Sequence, residues 1–477
     1  MILQWIKIGL MTLALGGVLA GAGGAEPLEP VSLNRYHLDT SRGTVGVEET
    51  RTDTLQTSVR RRSYTIYNGD AVIFGSAKAR TGLDETCVAE LEIPAATGTL
   101  RWYDAAKSSW ESCDIETTTV EAGCVVIATR GGDALLYTPK VYEPMGSGTL
   151  RREPEIAGSV RLLVEDGKCR VQLWCARIPK GHQAEFAVVQ SAGELANWRA
   201  PSVREAWASC TMDNDRLWCY DGCYHPSPSN YIPTGENCYY RVPAAYFTRL
   251  VADNAPDIRA AEDLTVAMLD VICKQQNEAG FFPTLPTSEW LQEDYGLGGG
   301  FYDTRFNSDL AEIFSGVAGW LECPSFYNAM NRYFDYYQGF ASACRTPTEN
   351  GVFVWDYYAP GGGSMTHTSL NHQVAELLAL CHWAEHSGRD ELQTLADRMI
   401  RAVEDTVERW ICDDGNLHYA VYPGDSYGGQ DYPYLTYNDL YDLRAYLQSQ
   451  DRDTSRIQLL MDAKLRWMQA NGVTNHK

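Results

Sequence analysis

The spacing of apolar residues changes once along this 477-residue chain, from every second residue to helical spacing. Between about Ser63 and Gln190 apolar and polar residues alternate, and the pair Asn68-Gly69 is typical of a two-residue hairpin turn. From about residue 244 the apolar residues recur at intervals of three and four. The pattern predicts an α+β protein, with an N-terminal antiparallel β-sandwich-like domain (26–195) and a C-terminal helical domain (244–477).

Helix-breaking residues divide the helical domain. Pro324, Gly388 and Asp451 each separate two amphipathic stretches, as in a helical hairpin. We expect about four hairpins, near residues 244–275, 305–343, 368–412 and 434–471. Consecutive antiparallel helix pairs, each with one apolar face, can close into a ring around a central cavity. The domain is therefore predicted to be an incomplete (α/α) barrel, or toroid.

The first 25 residues contain one lysine, a long apolar run and a small-residue end, which is the composition of a secretory signal peptide. We therefore expect a secreted, periplasmic or cell-surface protein. No later window approaches the ~20 apolar residues that a membrane span requires. The 62 acidic and 40 basic residues give a net charge of −22, or −23 once Lys7 is removed with the leader. Such a chain is a poor partner for nucleic acid or anionic membrane.

Cysteine usage fits an exported chain, because the fourteen cysteines are expected to be mostly disulfide-bonded in an oxidising compartment. An aromatic and proline-rich stretch over residues 196–243 is predicted to be a disulfide-rich junction between the two domains. It contains four of the cysteines: Cys210, Cys219, Cys223 and Cys238. A zinc site is the less favoured interpretation, because their spacing does not give two short C-x2-4-C pairs.

Three long segments that join successive hairpins are rich in aromatic, glycine and acidic residues, whereas the connections within hairpins are short. Functional residues are often found on such loops at one end of a regular scaffold. Tryptophan and tyrosine next to carboxylates and amides suit a sugar ring, which has an apolar face and a rim of hydroxyls. We therefore expect a polysaccharide or oligosaccharide as the partner, with no cofactor; the oligomeric state is left open.

The first of these segments leads to Asp303 and Arg305, at the entry to a helix. Asp303 is expected to bind a sugar hydroxyl, and Arg305 a carboxylate, which a guanidinium group matches bidentately. The alternative is structural, with Asp303 or Ser308 capping the helix and Arg305 paired with a nearby acid. The residues alone leave both interpretations open.

The second segment and the helix after it supply four candidate substrate-binding residues: Trp355, Asp356, Asn371 and His372. Aromatic loops of this kind can also simply cover a core. The spacing of His367, His372 and Glu376 suggests metal ligands. It is not an H-E-x-x-H motif, however, so no metal site is predicted.

The third segment supplies His418, and four further candidates follow at the start of the last hairpin: Asp431, Tyr432, Tyr437 and Asn438. Histidine, tyrosine and carboxylate side chains are candidate acids and bases, since aromatic neighbours can shift their pKa values by desolvation. The alternative is that these residues cap helices or line the ring.

Three short motifs between about residues 301 and 468 resemble the C-terminal helical domain of D-glucuronyl C5-epimerases. They are Ser369-Leu370-Asn371, Gly415-Asn416-Leu417-His418, and Asp431-Tyr432 followed by Asn438 and Leu440. The resemblance implies an incomplete (α/α) barrel after a β-rich portion. It also implies an isomerase that removes the C5 proton of uronic acid units in a polysaccharide.

The resemblance assigns catalytic roles to three positions. Tyr432 stands where the family has a catalytic tyrosine, and His418 replaces the tyrosine of the family's strand. Tyr358 is nearest to a further catalytic tyrosine, with Tyr357 competing for that place. The family's two histidines after the Tyr432 position are absent here. The reaction also needs a cation for the substrate carboxylate, and Arg305 is the candidate.

Two other functions stay open. Arginine is scarce in the three loops, and a strongly acidic chain would repel a polyuronic polymer. This favours a neutral sugar and a glycoside hydrolase on the same scaffold, with Asp303 and either Asp356 or Asp431 as the acid and base of hydrolysis. A polysaccharide lyase, which like the epimerase would abstract a proton from a uronic acid, is a further alternative on this scaffold. The third possibility is a non-catalytic glycan-binding or cell-surface protein whose aromatic loops only stack on sugar.

Overall fold

The structure is a computed structural model that describes residues 30–477. The predicted signal peptide over residues 1–25, on which the prediction of export depends, lies outside the described residues. Within residues 30–477 no helix combines the length and the apolar composition that a membrane crossing requires.

The N-terminal region is a stack of antiparallel strands. Its fourteen strands are β1 (Val31–Thr40), β2 (Gly43–Asp53), β3 (Thr57–Thr65), β4 (Ala71–Ala79), β5 (Leu83–Ile93), β6 (Gly98–Asp104), β7 (Ser109–Asp114), β8 (Thr118–Val120), β9 (Cys124–Thr129), β10 (Gly132–Gly146), β11 (Thr149–Arg152), β12 (Gly158–Glu165), β13 (Lys168–Ile178) and β14 (Gln183–Ser191). Four of them form a small sheet in the order β5-β13-β12-β8, and the others belong to one large sheet. Ile73 and Val188 of the large sheet share a core with Leu91 and Leu173 of the small one. The predicted antiparallel β-rich region is confirmed.

The segment predicted as a junction joins the large sheet. It contains α1 (Pro201–Ala208), β15 (Leu217–Cys219), β16 (Gly222–Pro226), β17 (Tyr231–Ile232) and β18 (Cys238–Arg241). The strand order of the large sheet is β1-β2-β3-β4-β14-β10-β11-β18-β16-β15. The junction strands β18, β16 and β15 therefore extend one edge of this sheet. The strands β9, β6 and β7 form a branch that pairs with β10 through β9. The junction is therefore part of the β-rich region in space, and the predicted domain boundaries stay predictions.

All fourteen cysteines lie in the described part, and each is a free thiol. The expectation of disulfides, including those of the junction, is therefore not met. Eleven of the cysteines are buried, where a thiol packs as a small apolar side chain. Cysteine usage consequently gives no support for an oxidising compartment.

The C-terminal part is mainly helical. Its elements, in chain order, are α2 (Tyr246–Ala252), α3 (Arg259–Cys273), β19 (Thr287–Ser288), α4 (Glu289–Tyr295), β20 (Tyr302–Asp303), α5 (Thr304–Ala318), α6 (Pro324–Ala343), β21 (Arg345–Pro347), β22 (Val352–Val354), β23 (Tyr357–Tyr358), β24 (Thr368–Ser369), α7 (Leu370–Ser387), α8 (Asp390–Asp405), α9 (Val407–Trp410), β25 (His418–Tyr422), β26 (Ser426–Gln430), α10 (Leu435–Ser449) and α11 (Ser455–Ala470). Pro324 occupies the first turn of α6, and Gly388 ends α7 at a φ of +68°, as expected of these residues at helix ends.

The four predicted helical hairpins are present. The pairs α2/α3, α5/α6, α7/α8 and α10/α11 each pack against each other. Contacts between pairs order the helices into two rows, an inner row α2-α5-α7-α10 and an outer row α3-α6-α8-α11. One apolar core continues from Phe74 of the large sheet through Leu264 of α3 to Leu377 of α7. Closure of the two rows into an (α/α) ring stays a prediction.

Candidate functional site

The long loops converge where the inner helices α5, α7 and α10 begin. Short strands join them, because β20 pairs with β23 and β24 pairs with β25. Asp303 and Ser369 are the N-cap residues of α5 and α7, so both helix starts lie within this network. The loops and helix starts therefore assemble the candidate site from segments that are distant in sequence.

Asp303 is a buried carboxyl at the start of α5. Its Oδ1 accepts a hydrogen bond of 3.0 Å from the amide of Phe306, which caps the helix. Burial raises the pKa of Asp303 to about 8, with the carboxylates of Asp356 and Asp309 adding to the effect. The group consequently holds a proton at neutral pH, and the predicted capping role is confirmed.

Asp356 has no solvent exposure, and its carbonyl oxygen accepts a hydrogen bond of 3.0 Å from the amide of Thr304, the residue after Asp303. Its two oxygens accept hydrogen bonds from the amide of Ser369, both at 3.0 Å, and Oδ2 accepts one of 2.6 Å from the Ser369 hydroxyl. The same Oδ2 lies 3.3 Å from Nε2 of His367 and 3.7 Å from Nδ1 of His372. Asp356 thus connects the loop before α7 with two buried histidines.

Two further buried groups on α7 complete what we call the acid cluster, defined as Asp303, Asp356, His367, His372 and Glu376. His372 Nδ1 lies 2.9 Å from the hydroxyl of Thr304, and burial lowers the pKa of His372 to about 4. Glu376, one turn further along α7, accepts a hydrogen bond from the hydroxyl of Tyr337. Burial, with the charge of Asp356, raises the pKa of Glu376 well above its ordinary range.

Aromatic side chains surround His367. Its ring stacks on that of Trp290, with centroids 6.0 Å apart, and lies 5.5 Å from Tyr419. Its Nδ1 is 2.7 Å from the hydroxyl of Tyr295. The imidazole therefore links the acid cluster to the half-buried aromatic residues around it.

Tyr432 is the exposed aromatic side chain of the site, at 47% of its full exposure. Its ring lies 5.9 Å from that of Tyr419. Partial desolvation raises the pKa of Tyr432, and the nearby carboxylate of Asp303 raises it further. Tyr432 therefore lies near Asp303, and its catalytic role stays a prediction.

The pleat of the strand separates Tyr358, a predicted catalytic residue, from the acid cluster. Tyr358 pairs with Tyr302 across the β20–β23 bridge, and its ring packs on Phe340. The neighbouring Tyr357 instead faces the cluster, with its ring 5.4 Å from that of His372. Successive side chains of a strand point to opposite faces, so only one of the two tyrosines can reach the cluster.

His418 has no side-chain contact with the acid cluster among the described contacts. It begins β25 opposite Gln430, whereas the next residue, Tyr419, packs against His367 and Tyr432. The resemblance of the Gly415–His418 motif therefore selects a residue one position away from the side chain that faces the site.

Arg305 is an ion-paired residue and not a free cation. Its guanidinium contacts Asp439 at 2.7 and 3.1 Å and Asp309 at 2.9 Å, and it donates to the carbonyl of Asn371 at 3.2 Å. Binding of a substrate carboxylate by Arg305 stays a prediction. Its structural alternative, a pair with nearby acids, describes what is observed.

Asp431 is part of a buried ion pair. Its Oδ2 lies 2.6 Å from Nζ of Lys464, and Oδ1 accepts a hydrogen bond of 2.5 Å from Thr436. Both charged side chains are at most 1% exposed. These contacts describe a structural role for Asp431, and its role as a substrate ligand or as the acid or base of hydrolysis stays a prediction.

Trp355, Tyr437 and Asn438 are the remaining predicted binding residues. Trp355 is half-buried, and its indole nitrogen has no hydrogen-bond partner in the described part of the chain. The Tyr437 ring packs 5.2 Å from that of His476, and Asn438 accepts a hydrogen bond of 2.9 Å from the amide of Lys477. Tyr437 and Asn438 thus contact the C-terminal residues and not the acid cluster.

Two side chains of the site, Tyr419 and Tyr295, were not among the residues selected from the sequence, and Tyr357 was named only as a competitor of Tyr358. Tyr357 could have been preferred from strand alternation, had the strand faces been known. Tyr295 carries no local signal, because its contact with His367 crosses 72 positions of sequence.

A cavity of about 590 Å³ lies along the inner row of helices. All four inner helices line it, with Arg249, Asp309, His382 and Asp439 among the residues that face it. Its charges are largely paired, as in the contact of 2.9 Å between His382 and Glu312. A cavity with a polar lining is therefore present along the inner row, whereas its place at the centre of a closed ring stays a prediction.

Comparisons with known proteins gave structural matches only. No protein-family model matches the chain, and no curated protein matches it. A family 76 glycoside hydrolase from a bovine Bacteroides thetaiotaomicron strain aligns at 9% identity over 83% of this chain and 75% of its own, with a TM-score of 0.38. A D-mannose isomerase aligns at 12% identity over 48% of this chain, with a TM-score of 0.36; the match spans 61% of the isomerase, less than two thirds of its length.

A cellobiose 2-epimerase from Spirochaeta thermophila DSM 6192 aligns at 9% identity over 58% of this chain and 73% of its own, with a TM-score of 0.38. Because all three TM-scores are below 0.5, these matches carry no inference about the function of this chain.

Proposed function

We propose that the chain is a carbohydrate-active enzyme that performs acid–base chemistry on a sugar held at the starts of α5, α7 and α10. The observation that supports this most is a buried, protonated carboxyl, Asp303, close to the exposed ring of Tyr432. An aromatic ring suits the apolar face of a sugar, and a carboxyl that keeps its proton at neutral pH suits a general acid.

In this proposal Asp303 donates its proton to the oxygen of the bond that is cleaved. Water then adds to the anomeric carbon, and its surplus proton returns to the Asp303 carboxylate. One of its oxygens is occupied by the helix-capping bond from Phe306, which leaves the other for the substrate. Tyr432 and Tyr419 form the stacking surface, since their rings are in edge-to-face contact at the margin of the cluster. Glycoside hydrolysis uses a carboxylic acid with a raised pKa in this way.

A neutral sugar is the substrate class we favour. Arg305 and Lys464, the basic residues that the described contacts place beside the site, are each neutralised by buried acids. A uronate carboxylate would therefore lack a cationic partner there. The raised pKa of Tyr432 also disfavours the phenolate that proton abstraction at C5 would require.

The epimerase-like reaction on a uronic acid is the second candidate. It is favoured by one observation, the exposed position of Tyr432 at the place where the resemblance puts a catalytic tyrosine. The two candidates differ in the residue on which turnover depends, so they can be separated by substitution.

The experiment compares Asp303→Asn and Tyr432→Phe on a panel of neutral and uronic-acid polysaccharides. Product release reports hydrolysis, and solvent deuterium incorporation reports C5 proton exchange. We expect Asp303→Asn to lower kcat on a neutral polymer by about 10²–10⁴-fold, the usual contribution of a general acid. Tyr432→Phe, which keeps the ring, should retain most of the activity.

The matched control is Asp335→Asn, which removes a carboxyl that is 66% exposed on α6, outside the site. It should leave turnover unchanged. Loss of deuterium exchange in Tyr432→Phe alone would instead support the epimerase-like candidate. Saturable sugar binding without turnover on any polymer would support the non-catalytic alternative and contradict the enzyme proposal.

A further inference from the structure

Three side chains of the acid cluster have the arrangement of metal ligands. His372 and Glu376 are four residues apart on α7, so both project from one face of the helix. Asp356, from the loop before α7, approaches the same face. One ligand atom from each of the three residues lies within 4.8 Å of the others.

The three side chains are shielded from solvent. Asp356 is 0% exposed, Glu376 1% and His372 5%. Carboxylates are almost never buried in this way unless they are paired or coordinate a metal. The described contacts of Glu376 include no lysine or arginine, and Arg305 is already neutralised by Asp309 and Asp439.

An independent observation points to a missing ligand partner. Glu376 Oε2 accepts the hydroxyl of Tyr337, but the other carboxyl oxygen, Oε1, is buried without a hydrogen-bond partner among the described residues. A proton on Glu376 would reduce the charge of the cluster but would leave Oε1 unpartnered. A cation among the three residues would satisfy both the charge and this oxygen.

We propose that Asp356, His372 and Glu376 bind a divalent transition-metal ion. Two carboxylates and one imidazole suit ions such as Mn²⁺ or Zn²⁺. The Thr304 hydroxyl, 2.9 Å from His372 Nδ1, adds an oxygen donor beside the three ligands. Because all the donors are buried, the site is closed, as structural metal sites are.

The ion would link the loop before α7, through Asp356, to His372 and Glu376 on the helix. Asp356 holds the N-cap residue Ser369 through its amide and hydroxyl, so the metal would fix the start of α7 and the position of His367. This assignment does not rest on the proposed carbohydrate chemistry, since its three ligands do not include Asp303 or Tyr432.

Mn²⁺ is the probe for the test, because the fourteen free thiols of the chain are soft ligands that favour zinc over manganese. The full chain is stripped with a chelator, incubated with Mn²⁺ and desalted, and bound metal is counted by electron paramagnetic resonance and elemental analysis. We expect about one Mn²⁺ per chain and a melting temperature that rises with Mn²⁺ concentration.

Glu376→Gln is nearly isosteric and should lower Mn²⁺ affinity at least tenfold, with loss of the metal-dependent rise in melting temperature. His372→Gln is the second variant, in case Glu376→Gln does not fold. Glu312→Gln, which removes an acid in contact with His382 elsewhere on the inner row, is the matched control and should bind Mn²⁺ like the parent.

A second group of metal-binding side chains, Glu143, Glu153 and His182, lies partly exposed in the β-rich region. Glu153→Gln should therefore leave the tightly bound Mn²⁺ in place. The proposal is overturned if the parent chain keeps no Mn²⁺, if Glu376→Gln and His372→Gln keep it, or if Glu153→Gln loses it.

Discussion

Replacing Lys464 by methionine should expose how the loop that carries Tyr432 is held in place. Nζ of Lys464 lies 2.6 Å from Oδ2 of Asp431, 2.7 Å from Oδ1 of Asn416 and 2.6 Å from the carbonyl oxygen of Tyr432. The lysine and Asp431 are 0% and 1% exposed. Methionine fills a similar volume but leaves the Asp431 carboxylate buried without a counterion.

The cost of Lys464→Met can be worked out from this geometry. Removing one partner of a buried ion pair typically costs about 3–5 kcal/mol, because the remaining charge is desolvated and unpaired. Asp431→Asn removes that charge and keeps an oxygen that can accept from Thr436. The double variant Asp431→Asn/Lys464→Met should therefore recover most of the stability, with a coupling free energy of about 2 kcal/mol or more.

The assay is equilibrium unfolding in urea at pH 7 for the parent, both single variants and the double variant. Lys107→Met, at an exposed ion pair with Asp104 and Glu111, is the matched control and should hardly change the unfolding free energy. If Lys464→Met costs less than about 1 kcal/mol, or if the double variant is no more stable than Lys464→Met, the ion pair does not hold the loop. A stable, inactive Asp431→Asn variant would support a catalytic role for Asp431.

Burial and the neighbouring Asp70 raise the pKa of Asp263 to about 9. The folded chain therefore keeps a proton that the unfolded chain releases near pH 4. As a result, the unfolding free energy decreases as the pH rises from about 4 to about 9. Asp263→Asn should stabilise the protein at pH 7 by about 1–3 kcal/mol and flatten this pH dependence, measured as melting temperature from pH 5 to 8.5; an unchanged slope would contradict the assignment. Tyr419→Phe should lower turnover more than Tyr358→Phe, because only Tyr419 faces the acid cluster, and equal losses would refute the strand-face argument. Tyr432→Ala should weaken sugar binding in calorimetry more than Tyr432→Phe, since the ring and not the hydroxyl forms the stacking surface; equal affinities would count against stacking. Thiol titration of the denatured, unreduced chain should detect all fourteen cysteines, whereas a lower number would restore the disulfide prediction.

Secondary structure was predictable where its signals are local. The helical period, with Pro324 at the start of α6 and Gly388 at the end of α7, located the hairpins to within a few residues. The alternation of apolar residues likewise predicted the antiparallel region. Both signals depend on neighbours a few positions away, which is the range over which helix and strand geometry impose a pattern.

Site residues were less predictable, because their roles depend on the strand face and on partners distant in sequence. A one-residue displacement on a strand moves a side chain to the opposite face, which separates Tyr358 from Tyr357. Arg305 looked available for substrate because its main partner, Asp439, is 134 positions away. The sequence indicated which loops form the candidate site, but it did not show which side chains are already paired.

Pairing of charges also decides how the acidic composition bears on function. An excess of 62 acidic over 40 basic residues repels anionic polymers only if the excess is felt at the site. At the acid cluster, Asp303 holds a proton at neutral pH, while Arg305 forms ion pairs with Asp309 and Asp439. A bound uronate would therefore meet carboxyls without a free cation, whereas a neutral sugar would meet a proton donor and an aromatic surface. Composition and site geometry thus favour the same substrate class, and this is why we rank hydrolysis of a neutral glycan above epimerisation of a uronic acid.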